Sequence, residues 1–90
     1  MSDLKGGCLC KAVSFEVVGD PKWVSHCHCP SCRKATSAAF ATYVGLDKSQ
    51  VQFSGEKPAV YHSSPGIDRR FCRKCGSPVS FEGESWPGEI

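Results

Sequence analysis

Short apolar stretches separated by turn residues run along the whole chain. Val13, Phe15 and Val17 alternate with Ser14 and Glu16, and this period of two predicts a strand with one buried face. Further segments rich in β-branched and aromatic residues predict short strands at 23–27, 40–44, 51–53, 59–62, 69–71 and 79–81. Glycine, proline and aspartate cluster between these segments, as they do in turns.

Only residues 30–39 have the features of a helix. Pro30 suits a first helical position, and Ala35, Ala38 and Ala39 favour a turn or two of helix. Everything else has the pattern of strand or turn, so the sequence predicts a mainly β protein, a small antiparallel β fold. Because 90 residues leave room for one small domain, we expect residues 1–90 to form a single domain.

Composition narrows the classes of partner. Eleven basic against nine acidic residues leave a net charge of +2, too balanced for the basic surface of a nucleic-acid or membrane-binding domain. No apolar run approaches the ~18 residues of a membrane-spanning helix. The first residues also lack the apolar core of a secretory signal, so we expect a cytoplasmic protein.

The seven cysteines are the most informative feature of the composition. An odd number excludes a fully paired disulfide framework within one chain, and a reducing compartment disfavours disulfides generally. The cysteines are also clustered in the sequence. Small domains often need a disulfide or a bound metal to supplement the stability of their small hydrophobic core. Metal binding, with metal knuckles at the strand ends, is the interpretation we favour.

The first predicted metal site combines the two ends of the chain. Cys72 and Cys75 form a CxxC pair followed by Gly76, which allows the positive φ that aims backbone N–H groups at the sulfurs. Cys8 and Cys10 are the natural partners, since residues i and i+2 of an extended strand point to the same side. Four thiolates form a closed structural site. Zinc and iron share this geometry, so a rubredoxin-like iron site stays open as an alternative.

A second predicted site takes the remaining cysteines, Cys27, Cys29 and Cys32. Three thiolates within six residues can chelate one zinc ion and leave its fourth position open, as catalytic zinc sites do. The alternative is a second structural site, which one of the three histidines would close: His26, His28 or His62. A redox role for the CxxC pair expects a βαβ pattern, which the sequence lacks.

Basic residues flank the second and third cysteine clusters. Arg33 and Lys34 follow Cys32, and further cations surround the CxxC pair: Arg69, Arg70, Arg73 and Lys74. Such cations would offset thiolate charge and lower thiol pKa values. The rival interpretation is a solvated basic face or a phosphate contact. No aromatic platform or recognition helix for nucleic acid is evident beside them.

Three motifs, taken in order, resemble the glutathione-dependent formaldehyde-activating enzyme family, also called the centromere-protein-V-like domain. They are GGCLC at 6–10, CHCPSCRK at 27–34 followed by Phe40, and RFCRKCG at 70–76. The resemblance covers about residues 5 to 82 and rests on the order of all three clusters. It implies a mostly β fold like that of a small zinc-containing accessory protein of Rab GTPases.

The resemblance also implies two zinc ions and an activity. A structural zinc would bind Cys8, Cys10, Cys72 and Cys75, and a catalytic zinc would bind Cys27, Cys29 and Cys32. The family's namesake reaction condenses glutathione with formaldehyde to S-hydroxymethylglutathione, which is carbon–sulfur lyase chemistry. Glutathione carries two carboxylates, so Arg33 and Lys34, or the pair Arg69 and Arg70, are candidate substrate-binding residues.

The alternative function is a non-catalytic, zinc-stabilised binding module, by analogy with the Rab-associated protein. The unsatisfied three-cysteine cluster favours the enzyme, because a pure scaffold has no use for an open metal position. Two positions depart from the family, which usually has glycine where this chain has Lys11 and Ser37. Family members also usually continue past residues 86–88 with further strands, so we expect a C-terminally truncated or minimal member.

Overall fold

The computed structural model of the chain describes residues 3–90. In that range it contains eight strands, one α-helix and one short 3₁₀ helix. The strands are β1 Leu4–Gly7, β2 Val13–Val17, β3 Trp23–Cys27, β4 Ala41–Gly45, β5 Val51–Gly55, β6 Ala59–Ser64, β7 Ile67–Phe71 and β8 Pro78–Gly83. The helix α1 is Pro30–Thr36, and the 3₁₀ helix is Lys48–Gln50.

The strands form three small antiparallel sheets. Their orders are β1–β2–β5, β3–β4 and β6–β7–β8. In the first sheet Phe15 lies opposite Phe53, and in the third Arg69 lies opposite Phe81. The mainly β, antiparallel class predicted from the alternation is therefore confirmed. No helix within residues 3–90 is long and apolar enough to cross a membrane.

Each predicted strand segment coincides with an observed strand, but the sequence pattern missed β1. This strand pairs with β2 along its whole length, with Leu4 opposite Val17 and Gly7 opposite Ser14. Its sequence carries little apolar signal because two of its four residues are glycines. Glycine at position 6 leaves room for the Phe15 ring, which a Cβ atom there would force to move.

Helix α1 is shorter than the 30–39 segment that the sequence predicts. It begins at Pro30, as expected for a proline at the first helical position, and ends at Thr36. Ser37 ends the helix because it adopts the left-handed conformation, with φ 54°, and its N–H group turns back to the carbonyl groups of Arg33 and Lys34. Cys32 is the only buried residue of α1, so the helix packs through this cysteine.

The buried core is small and contains cysteines. Cys8, Val13 and Cys72 form one buried cluster, against which Ala12, Cys75 and Val79 pack. The other buried apolar residues of the described chain are Val17, Cys32, Ala41 and Leu46. Two of these seven buried residues, Cys8 and Cys72, are ligands of the first predicted metal site, so half of that site lies in the core.

Candidate metal centre

The structure brings Cys8, Cys10, Cys72 and Cys75 together. Their four sulfur atoms all lie within 4.8 Å of one another, and the Cys8–Cys10 and Cys10–Cys72 sulfur pairs are 3.6 and 3.7 Å apart. Ligands at a Zn–S distance of about 2.3 Å are about 3.8 Å apart at the corners of a tetrahedron. The cluster therefore fits one tetrahedral metal ion without rearrangement.

The Cys72–Cys75 turn has the geometry that its sequence predicts. Gly76 has φ 77°, and its N–H group donates to the carbonyl group of Cys72 at 2.9 Å. The Lys74 N–H group lies 3.4 Å from the Cys72 sulfur, to which it donates. Backbone donors aimed at a thiolate stabilise its negative charge, as a metal ligand requires.

The Cys8–Cys10 pair has a different local structure from the predicted extended strand. Strand β1 ends at Gly7, and Leu9 and Cys10 lie in a turn that the Lys11 N–H group closes by donating to the Cys8 carbonyl at 3.2 Å. The expectation that the two sulfurs share a side because of strand alternation is therefore wrong. The turn brings them together instead, and the Val13 N–H group donates to the Cys8 sulfur at 3.3 Å.

Ser77 links the two halves of this centre and was missed in the sequence. Its hydroxyl accepts a hydrogen bond from the Leu9 N–H group at 3.0 Å and lies 3.2 Å from the Cys75 sulfur, to which it can donate. One side chain thus ties the first cysteine turn to the second. The signal available was only its position two residues after the last cysteine, a common place for donors to a thiolate knuckle.

The surroundings push the thiol pKa values of the centre in opposite directions. Hydrogen bonds from the Ser77 side chain and backbone lower the pKa of Cys75 to about 5. The Ala12 backbone lowers the pKa of Cys10, but desolvation and the three neighbouring thiols outweigh this and raise it to about 11. Each thiolate opposes ionisation of the next, so a cation is needed for all four to be thiolates near neutral pH.

The second cluster lies where β3 meets α1. Cys27 is the last residue of β3, Cys29 is the N-cap of α1, and Cys32 is buried in the first turn of the helix. Within residues 3–90, the only group of close metal-ligating side chains is the four-cysteine centre, so the three sulfurs here do not all lie within 4.8 Å of one another.

The three thiols of the second cluster are suitable ligands for zinc, but their sulfur atoms must move closer together to bind one ion. Cys27 and Cys32 are close enough to affect each other: the Cys29 backbone lowers the pKa of Cys27, but the Cys32 thiol and desolvation raise it above its usual value. Cys29 is exposed, so packing leaves its side chain free to change rotamer. The structure therefore permits a three-thiolate site, with the Cys29 sulfur as the part that moves.

The three histidines do not join the four-cysteine centre. Among residues 3–90, no close group of metal-ligating side chains contains one. The His26 ring nitrogen Nδ1 hydrogen-bonds with the Thr42 hydroxyl at 3.0 Å, and His62 Nδ1 lies 2.6 Å from an Asp68 carboxylate oxygen on the third sheet. These partners give no support to a second site closed by histidine.

The predicted substrate-binding residues Arg33 and Lys34 lie on α1 and are exposed. Arg69, which the sequence grouped with Arg70, is instead half-buried beside Cys32. The two arginines point to opposite faces of β7, since Arg70 forms an ion pair with Glu82 at 2.7 Å. They therefore cannot act as a pair on one substrate.

Two surface depressions lie away from the second cluster. The larger, about 410 Å³, lies between the end of β5 and the third sheet, with Phe53, Arg70 and Glu82 in its lining. The smaller, about 350 Å³, runs along β1 and reaches Cys8. Neither is lined by Cys27, Cys29 or Cys32. Of these three cysteines, Cys29 is exposed, Cys27 is half-buried and Cys32 is buried.

A family model and a curated relative match the sequence of this chain. A family model described as "Glutathione-dependent formaldehyde-activating enzyme" matches residues 3–90. A curated relative from Schizosaccharomyces pombe, described as an uncharacterized lyase, is 33% identical over 81 residues. That match covers 90% of this chain and 58% of the relative, so the chain spans less than two thirds of the relative's length.

A solved structure supports the same fold. A crystal structure of a Rhodobacter sphaeroides protein aligns with this chain at a TM-score of 0.77 and 26% sequence identity. The alignment covers 96% of this chain and 80% of that one. The arrangement of three small sheets is therefore found in a protein whose sequence differs at most positions.

Proposed function

The chain belongs to the glutathione-dependent formaldehyde-activating enzyme family, and we propose that it is a zinc-dependent, carbon–sulfur lyase-like enzyme. Its proposed substrate is a thiol adduct such as S-hydroxymethylglutathione, formed from glutathione and formaldehyde. The family match and the relative described as a lyase support this class of reaction. The observation that carries the proposal is the presence of three further cysteines, Cys27, Cys29 and Cys32, outside the closed four-cysteine centre.

Two zinc ions are part of the proposal. Cys8, Cys10, Cys72 and Cys75 would hold a structural ion, since four sulfurs leave no position for a substrate. Cys27, Cys29 and Cys32 would hold a catalytic ion. When bound there, zinc supplies a Lewis acid that lowers the pKa of a coordinated thiol and polarises an aldehyde oxygen.

The reaction balances without a redox partner. In condensation, a bond forms between the glutathione sulfur and the formaldehyde carbon, and the thiol proton passes to the formaldehyde oxygen. Lyase action in the opposite direction breaks that carbon–sulfur bond and returns the proton to sulfur. The chain therefore needs groups that bind the thiol as thiolate and hold the substrate, rather than an electron acceptor.

The residues of α1 would provide the substrate contacts. Cys32 is buried and fixed by the helix, whereas Arg33 and Lys34 follow it on exposed positions. Glutathione carries two carboxylates, and a guanidinium binds a carboxylate through two parallel hydrogen bonds. Cys29 is exposed beside these basic residues, so a peptide of this size would approach the cluster from the side of Cys29 and the exposed face of α1.

Calorimetry with protein of measured zinc content tests the proposal. We expect glutathione to bind with release of a proton, seen as a binding heat that depends on the ionisation enthalpy of the buffer, and to raise the melting temperature. Cys29→Ser should abolish this binding and leave one zinc ion. The exposed Ser31 provides a matched control, because Ser31→Ala removes a hydroxyl beside the cluster that is not one of the proposed ligands.

Two further measurements separate the contribution of the substrate carboxylate from that of the substrate sulfur. Arg33→Ala should weaken glutathione binding about tenfold without loss of zinc, as expected for a lost charged hydrogen bond. A glutathione analogue that lacks sulfur should bind weakly. The enzyme proposal fails if glutathione gives neither heat nor thermal shift while two zinc ions are bound, and a zinc-stabilised binding module would then be favoured.

A further inference from the structure

Arg69 occupies an unusual position between the third sheet and the second cysteine cluster. It lies in the middle of β7 and is half-buried. Its Nε donates to the Ser63 hydroxyl at 2.9 Å, and its guanidinium carbon lies 4.9 Å from the centre of the Phe81 ring. These two contacts fix the plane of the guanidinium and leave its two terminal nitrogens pointing away from the sheet.

The terminal nitrogens of Arg69 face groups of the second cluster. Nη2 lies 3.6 Å from the Cys32 sulfur and Nη1 lies 3.4 Å from the Tyr43 hydroxyl. Tyr43 is half-buried in β4, the strand beside β3, and its ring packs 5.4 Å from that of Phe81. Arg69 therefore joins the third sheet to both β4 and α1 through one side chain.

The charge of Arg69 has no carboxylate partner in the described part of the chain. Among residues 3–90, no carboxylate oxygen lies within 4.0 Å of its guanidinium, whereas the next residue, Arg70, forms a close ion pair with Glu82. A half-buried guanidinium is costly unless an anion compensates it. The sulfur that the guanidinium faces is that of Cys32, which belongs to the proposed catalytic cluster.

We propose that Arg69 is a positioning residue of the second cysteine cluster: its guanidinium, which the Tyr43 hydroxyl helps to orient, holds the Cys32 sulfur in place and balances the negative charge of the cluster. This inference deepens the proposed function and rests on it. Three thiolates and a zinc dication carry a net charge of −1, and a substrate thiolate makes this −2. A guanidinium beside one sulfur stabilises the zinc-loaded cluster, and it stabilises the more negative cluster with a bound substrate thiolate more strongly.

The inference differs from a purely structural role in what it predicts. A side chain that only joins two sheets would affect the stability of the whole fold and both metal centres alike. A side chain that holds Cys32 affects the metal affinity of the second cluster and leaves the four-cysteine centre unchanged. Groups that position metal ligands in this way typically change metal affinity 10–100-fold when removed.

Cobalt(II) binding to the full chain, without glutathione, tests the inference. Thiolate-to-cobalt absorption counts the cobalt–sulfur bonds, and competition with a chelator gives the affinity of each centre. We expect Arg69→Met, which keeps an apolar chain against Phe81, to weaken the second centre at least tenfold and to spare the first. Arg69→Lys should bind cobalt at the second centre more tightly than Arg69→Met but less tightly than the parent chain. Lysine keeps the positive charge but lacks the planar guanidinium with its paired N–H donors.

Two further variants keep the test decisive. Arg70→Met is the matched control, since it removes the neighbouring cation of the same strand from the opposite face, and the second centre should keep its affinity. Tyr43→Phe removes only a hydroxyl and should weaken the second centre in the same direction as Arg69→Met. If Arg69→Met fails to fold, the cobalt affinities of Arg69→Lys and Tyr43→Phe at the two centres test the inference instead.

The outcomes separate this inference from the proposed function. If the parent chain binds no second ion, both fail. If the second ion is bound and its affinity is unchanged in the Arg69 and Tyr43 variants, or falls equally at both centres, only the positioning role is overturned. Selective weakening of the second centre, partly rescued by lysine, supports it.

Discussion

Lys11 and Ser37 adopt a backbone conformation that favours glycine. Their φ angles are 69° and 54°, and they are the only residues other than glycine with positive φ within residues 3–90. They are also the two positions where the family that this chain resembles usually has glycine. A side chain with a Cβ costs about 1–2 kcal/mol in this conformation. The structure thus gives a physical reason for glycine at both positions.

Glycine at these two positions should stabilise the zinc-loaded protein. We expect Lys11→Gly and Ser37→Gly each to add about 0.5–1 kcal/mol, since relief of strain exceeds the entropic cost of glycine. In a domain of this size that raises the melting temperature by several degrees. Thermal unfolding followed by circular dichroism measures it. Ala35→Gly, at a helical position in the last turn of α1, is the control and should destabilise by about 0.5–1 kcal/mol. A fall in melting temperature for the first two variants would contradict the strain argument.

The thiols of the four-cysteine centre predict how its metal affinity depends on pH. Cys75, with a pKa of about 5, is already a thiolate near pH 7, whereas Cys10, with a pKa of about 11, keeps its proton until a metal displaces it. Protons therefore compete with the metal for Cys10 throughout the neutral range. The metal affinity of the four-cysteine centre should therefore rise about tenfold per pH unit from the loss of the Cys10 proton alone. Chelator competition between about pH 6 and 9 measures the slope, and an affinity independent of pH would contradict the prediction.

At the scale of elements, alternation of apolar and polar residues was enough to locate the strands. It works for β2 because Val13 and Val17 are buried while Glu16 is exposed. It cannot find β1, whose exposed residues and glycines carry no hydrophobic pattern and which forms because it pairs with β2. Strand formation by pairing depends on tertiary contacts, so it is invisible in the local sequence.

The cysteine spacing predicted which residues meet, but only part of how they meet. The CxxC pair before Gly76 has the expected turn, because the local sequence determines it. Cys8 and Cys10 meet through a turn instead of a strand, and Ser77 links them to the second half across the chain. Such links between distant segments are set by tertiary structure and leave no trace in residue spacing.

The surroundings of the second cluster were the least predictable part. The alternation of β7 does indicate that Arg69 and Arg70 point to opposite faces, so their separation could have been foreseen. Which face lies against Cys32 and Tyr43 depends on how the third sheet packs on β4 and α1. The sequence offers no signal for that packing, because the contacts are long-range. Arg69 and Tyr43 are separated by 26 positions in the sequence, and Arg69 and Cys32 by 37.

At the scale of the whole molecule, the four-cysteine centre overlaps the buried core. Cys8 and Cys72 are among the seven buried apolar residues, and Val13 packs between them as one of the most buried side chains. The three sheets have few other apolar residues to bury against one another. An ion held by the four sulfurs would therefore contribute much of the stability of the fold.

Removing metal from the two centres should consequently have different effects. Metal binding at a closed thiolate site contributes on the order of 10 kcal/mol, comparable to the whole stability of a small domain. We expect Cys10→Ser or Cys75→Ser to give molten or insoluble protein, whereas Cys29→Ser, at an exposed position, should stay folded with one ion fewer. Mild chelation should likewise remove one ion and leave the far-ultraviolet circular dichroism unchanged, before stronger chelation unfolds the chain. If both ions leave together as the chain unfolds, the second cluster is a structural site too; if Cys75→Ser keeps its metal content and melting temperature, the four-cysteine centre does not stabilise the fold.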